Sequence, residues 1–192
     1  MGVIFQSLGR SVAAGVVLVI LMVATLRSGG FDHTWGAFVM RWLHVLCGVM
    51  WVGLLWYFNF VQIPSMPKIP DEQKPAVSKV IAPEALFWFR WSALATVVTG
   101  VLLASMNKYI VLALFLQKPF VAIGIGMWIA LLMAFNVWVI IWPNQKKALG
   151  IVSVDAAQKA AAARIAMLTS RFNTMLSIPM LYCMVAQQNG GL

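Results

Sequence analysis

The chain has two histidines, and one of them, His44, sits where chemistry is possible. Arg41, His44, Gly48, Trp51, Leu55, Asn59 and Gln62 follow one another in steps of three and four, so a helix carries them on a single stripe. His44 falls several turns inside its apolar stretch, roughly 13 Å along a helix axis. An imidazole at that depth can ligate haem iron. Gly48, one turn on, leaves room for a flat macrocycle, and Arg41, one turn before, can meet a propionate. The same residues admit a plainer reading: His44 hydrogen-bonds a carbonyl across the bundle and Arg41 reaches the lipid headgroups. Spacing leaves both open. Met40 and Met50 flank the histidine and offer thioethers either to iron or to packing. His33 lies eleven residues before His44, about 16 Å along one helix, so the two cannot hold the same iron from there.

A second polar group belongs to three later apolar stretches. Glu84 and Arg90 open one, Arg171 and Asn173 open the last, and Asn136 lies low in the stretch between. Charge at the centre of a spanning helix costs about 2.5–3.5 kcal/mol, so each instance needs a reason. Two arginines against one carboxylate leave a positive surplus. The functional reading is a site for an anionic substrate or a quinone oxygen, with Arg90 and Arg171 facing the bundle interior. Glu84 then pairs with at least one arginine, and Asn136 and Asn173 orient the ligand. The plainer reading is one interhelical ion pair plus an arginine at the headgroups. Ser92, Thr96 and Thr99 share a stripe with Glu84 and are expected to bond back to their own helix. There is no Walker loop, zinc spacing or nucleophile–base triad. No Cys-x-x-Cys-His occurs, so covalent c-type haem is excluded, and Cys47 and Cys183, both in apolar runs, predict no disulfide.

The elements that must position these groups follow from composition. Of 192 residues, 62% are hydrophobic and 10% charged, with a mean hydropathy of +0.88. A water-soluble globule is more polar than this, so the chain reads as an all-α polytopic transmembrane bundle forming one domain. Five spans are expected, at about 11–26, 35–61, 85–106, 121–142 and 165–186. Pro64 and Pro67 lie beyond the second, Pro83 opens the third, Pro143 stops the fourth and Pro179 kinks the fifth. Segment 109–117 is apolar but too short to span. Segment 153–164 reads as a helix with Ser153 and Asp155 at its head, and Gly124 and Gly126 suggest close helix contacts. The net charge of +9 lies mostly in loops, a topology signal that needs no nucleic-acid partner. Arg10, Lys68, Lys74, Lys79, Lys146, Lys147, Lys159 and Arg164 fall on one side; Arg27, Lys108 and Lys118 fall on the other. The N-terminus is therefore expected in the cytoplasm and the C-terminus outside, in a bacterial inner membrane.

Four blocks carry a family resemblance: RWLHVLCGVMWVGLLWYFNFVQ (41–62), PEALFWFRWSALATVVTG (83–100), NVWVIIWPNQKK (136–147) and SRFNTMLSIPML (170–181). Together they resemble the membrane domain of PuuD-type urate oxidases, bacterial integral-membrane urate hydroxylases, over roughly Trp35 to Ala186. The resemblance implies a membrane redox domain with haem b, and marks Arg41, His44, Glu84, Arg90, Asn136, Asn144, Arg171 and Asn173 as motif positions. The family's membrane part is usually followed by a cytochrome c domain that this sequence lacks, so electrons would leave to a separate cytochrome c or a quinone. The first block is also similar, more weakly, to HemJ-type protoporphyrinogen oxidases, where Lys108 or Lys118 would have to supply that family's lysine. A third reading is a non-catalytic accessory subunit of a larger membrane complex or homo-oligomer, surrounded by lipid.

Overall fold

The computed structural model describes residues 2–191, and every regular element among them is helical. The chain divides into two compact units, 1–36 and 37–192. In the first, a helical turn (Gly2–Phe5) precedes helix α1 (Leu8–Leu26). The Arg27 guanidinium lies over the rings of Phe31 and Trp35, 5.7 and 5.5 Å from their centroids. Asp32 Oδ1 accepts the Trp35 N–H at 2.9 Å and so caps the helix that begins at His33.

Among the described residues four helices are long and apolar enough to cross a membrane: α1, α2 (His33–Lys68), α3 (Lys74–Met106) and α5 (Val121–Ala148), with a short α4 (Ile110–Leu114) before the last. The chain is a helical membrane protein. The fifth long helix, α6 (Ala156–Asn189), forms where expected, but Ser170, Arg171, Asn173 and Ser177 make its sequence more polar than the other four. Three of those four, Ser170, Asn173 and Ser177, are buried at steps of three and four, so α6 turns a polar stripe into the bundle. Its start matches the sequence reading: Asp155 is the N-cap, its carboxylate accepting the Gln158 N–H at 2.7 Å.

The prolines act differently from expectation. Pro64 and Pro143 do not end their helices; α2 runs on to Lys68 and α5 to Ala148. The reason is local. Wide π-turns occupy Tyr57–Gln62, Val77–Ile81 and Asn136–Ile141. In each, the residue just before a proline bonds five residues back: Ile63 to Phe58, Ala82 to Val77, Trp142 to Val137. A proline ring collides with the carbonyl four residues earlier, and a wider turn gives it room without breaking the helix. Helix α6 likewise continues through Pro179.

The core of the second unit joins Trp51, Leu55 and Phe58 of α2 with Leu86, Phe89 and Ala93 of α3, Met133, Val137 and Ile141 of α5, and Met180 of α6. Both expected glycine contacts of α5 form. A Cβ on Gly126 would stand 3.0 Å from the Cys183 Cβ of α6, and one on Gly124 would stand 2.1 Å from the Ala113 carbonyl oxygen of α4. Helix α3 ends with Lys108 in the left-handed region, φ 58°. The Lys108 N–H reaches the Ser105 carbonyl at 3.0 Å and the Tyr109 N–H reaches Ala104 at 3.1 Å, a Schellman turn that folds the chain back into α4.

Candidate functional site

Helices α2, α3, α4, α5 and α6 of the second unit line a cleft of about 630 Å³. That size lies within the range of small-molecule and cofactor sites. Its wall is mostly apolar, from Val45, Val52, Val97, Leu131 and Val185, with few polar groups. His44 is the decisive one. Its Nδ1 lies 2.9 Å from the Thr96 carbonyl oxygen and 3.2 Å from Thr99 Oγ1, both on α3. A carbonyl can only accept, so Nδ1 carries a proton, and in the neutral ring Nε2 then keeps the free lone pair.

The ring is also boxed in. A Cβ on Gly100 would stand 2.8 Å from His44 Cε1 and 3.2 Å from Nδ1, so only glycine lets the imidazole lie where it does. Thr96, Thr99 and Gly100 share one face of α3 at steps of three and one. The two threonine hydroxyls bond back to Ser92 and Ala95, at 2.7 and 2.6 Å, as expected. Their contribution to His44 is a carbonyl and a lone pair. The sequence reading missed Gly100; its signal was a small residue one turn after Thr96 on a helix with hydroxyls at the same face.

Arg41 and Gly48 line the same cleft as His44, so the three residues of the α2 stripe do come together. The Arg41 Nε–H is buried without a partner, and so is the Trp51 indole N–H in the cleft wall. Met40 and Met50 are not among the lining residues; the thioethers that do line the cleft are Met127 of α5 and Met180 and Met184 of α6. Register explains Met50, which is six residues on and so about 240° round the helix from His44; Met40, four residues before His44, is on its side of the helix yet outside the lining. Lys108 and Lys118, required by the porphyrin-oxidase resemblance, do not line it either.

The second polar group is assembled differently from expectation. Asn136 and Asn173 meet: the Asn136 amide donates to Asn173 Oδ1 at 2.8 Å, and the Asn173 amide donates to the Met133 carbonyl at 2.9 Å. Asn173 is fully buried, and the pair locks α5 to α6. Ser170 and Ser177 extend the lock to α2, accepting from Asn59 Nδ2 at 2.8 Å and Trp56 Nε1 at 2.9 Å. Arg90 is buried, with its guanidinium 3.4 Å above the Trp142 ring and Nη1 unpartnered. Arg171, expected to face the interior, is exposed instead. It sits 100° round the helix from Ser170 and so misses the buried stripe. The expected Glu84–arginine pair is also absent. Glu84 is exposed and accepts from Trp88 Nε1 at 3.0 Å, and the ion pair among the described residues is Lys74–Asp71 in the loop, at 2.6 Å. Aromatic stacking rather than a carboxylate therefore accompanies Arg90.

Comparison with known families places part of this architecture. Residues 105–190 match the family described as Urate oxidase N-terminal. The matched stretch is a little under half of the chain and holds α4, α5 and α6, including Asn136, Asn173 and the lining methionines Met127, Met180 and Met184. The urate oxidase N-terminal resemblance read from the sequence is thus supported through the blocks at 136–147 and 170–181, while those at 41–62 and 83–100, with His44 and Gly100, lie outside the matched residues. No curated protein and no solved structure matches the chain.

Proposed function

We propose that this chain is a membrane redox domain of the urate oxidase type, in which His44 holds haem b. The observation that carries the proposal is the Nδ1 of His44 lying 2.9 Å from the Thr96 carbonyl on the wall of the cleft, which leaves a lone pair on Nε2 of the neutral ring. Histidines that ligate metals almost always donate their other nitrogen to a carbonyl or carboxylate, which fixes the tautomer and the ring plane. The hydrogen bond of the plainer reading is therefore also what a ligand histidine requires. Gly100 holds the ring, Gly48 keeps the wall low beside it, and Arg41 brings an unsatisfied N–H and a positive charge. Met127, Met180 and Met184 are the thioethers on the cleft wall that would also be available to hold haem iron.

Bound haem would supply one-electron transfer within a largely apolar, water-poor site. The chain's own part is to orient the imidazole through Thr96 and Thr99, to exclude water with the valine and leucine wall, and to balance negative charge with Arg41. Electrons would pass on to a separate cytochrome c or a quinone. The urate-type substrate rests on the family match, and Arg90 is the group of the inner cluster left open to an anion. We further propose a bacterial inner-membrane location, with the N-terminus in the cytoplasm and the C-terminus outside.

An optical spectrum of the purified protein, expressed with ample haem, tests the reading. A Soret band is expected, and His44→Ala is expected to abolish it while His33→Ala retains it. A colourless wild type would sink the proposal and favour an accessory subunit of a larger complex.

A further inference from the structure

One end of the cleft is polar in a way that haem iron ligation does not require. Arg41 comes from α2, one turn before His44, and Tyr109 comes from the turn after α3. Gln188 and Asn189 come from the last turn of α6. Tyr109 is held in place by stacking on Phe120, with ring centroids 5.1 Å apart and planes 19° from parallel. Burial pushes its phenol above the ordinary value and the nearby Arg41 charge pulls it partly back, so the hydroxyl stays protonated at neutral pH and lies within electrostatic reach of the guanidinium. No Asp or Glu is among the lining residues, and the Arg41 Nε–H is buried and unbonded. Arg41 as a whole is half-buried, and a positive charge with a buried, unsatisfied donor beside an apolar wall is best met by an anion. Since the wall brings no negative charge, the occupant must bring it.

We propose that Arg41 and Tyr109 form a carboxylate clamp at this end of the cleft. Arg41 supplies the charge and an N–H, and Tyr109 supplies an O–H. Which molecule carries the carboxylate rests on the haem reading: it would be a propionate of the haem that His44 would hold. A carboxylate from a fatty acid has the same chemistry, and the experiment separates the two.

The full-length protein, reconstituted in nanodiscs without haem, is titrated with haemin and with haemin dimethyl ester, whose carboxylates are blocked, following the Soret shift. Wild type is expected to bind haemin about tenfold or more tightly than the ester, about 1.4 kcal/mol. Arg41→Gln should bring the two close to parity, and Tyr109→Phe should cut the preference several-fold. Arg41→Lys should restore part of it, with thermal unfolding unchanged in all three variants. Equal affinity of wild type for haemin and ester would overturn the clamp and leave His44 ligation standing. If neither porphyrin binds but oleate does, in an Arg41-dependent manner, the clamp stands and the haem reading fails. If none of the three binds, both fail.

Discussion

At the scale of single residues, His44 shows how a side chain acquires a function from its neighbours. An imidazole in an apolar helix has two nitrogens and no fixed tautomer. The Thr96 carbonyl 2.9 Å away chooses one. Gly100 then limits where the ring can lie, since its hydrogen occupies the place where any Cβ would come within 2.8 Å of Cε1. Gly100→Ala should therefore tilt the imidazole and weaken haem binding about tenfold or more, while overpacking costs the fold roughly 1–3 kcal/mol. Haem titration beside thermal unfolding reads both effects. Unchanged haem affinity in that variant would show that the ring's position does not matter. Thr99→Val tests the weaker partner. It removes the 3.2 Å contact but leaves the carbonyl, so haem affinity should fall by no more than a few-fold.

At the scale of elements, polar side chains do the work that apolar packing does in water. Helices surrounded by lipid tails gain little from burying one apolar surface against another, so small residues and interhelical hydrogen bonds decide their contacts. The Asn136–Asn173–Met133 chain is such a contact between α5 and α6. In a double-mutant cycle of Asn136→Leu and Asn173→Leu, a coupling of about 1 kcal/mol is expected, within the range found for hydrogen bonds in membranes. A coupling near zero would mean that the two amides contribute only by size. Gly124 is the small-residue counterpart. Because a Cβ there meets backbone of α4 at 2.1 Å, Gly124→Ala must push α4 away and carry Tyr109 with it. The expected result is a loss of the haemin-over-ester preference together with destabilisation, whereas preference and stability both at wild-type values would refute the coupling of α4 to the clamp.

For the whole molecule, the question is which way it sits and how many times it crosses. The basic residues divide eight to three between the two groups of loops, and such a bias orients membrane proteins because positive loops stay on the cytoplasmic side. Reporter fusions after Gln187 and within 143–164 should report outside and cytoplasmic positions respectively. A cytoplasmic reporter after Gln187 would mean that α6 does not cross. The outcome turns on a helix whose charged Arg171 is exposed while its Asn and Ser residues are buried. Exposure of that kind is tolerable where a long arginine side chain reaches the headgroup layer.

Composition and periodicity alone gave an all-helical membrane chain, the four most apolar helices, the loop charge bias and the Arg41–His44–Gly48 stripe. These depend on each residue's own transfer energy and on the fixed 100° step of a helix, both local properties. The folded arrangement settled what depends on pairs of elements. That Asn136 answers Asn173, that Glu84 makes no ion pair with Arg90 or Arg171, and that Thr96 and Gly100 hold His44 cannot be read from one helix, because each depends on how a second helix is rotated about its axis. The prolines lie between the two cases. Their positions were plain in the sequence, but whether one ends a helix or is absorbed by a wider turn is decided by whether packing on both sides keeps the helix going. In α2 and α5 Phe58, Val137 and Ile141 are buried at that level, and the helices continue.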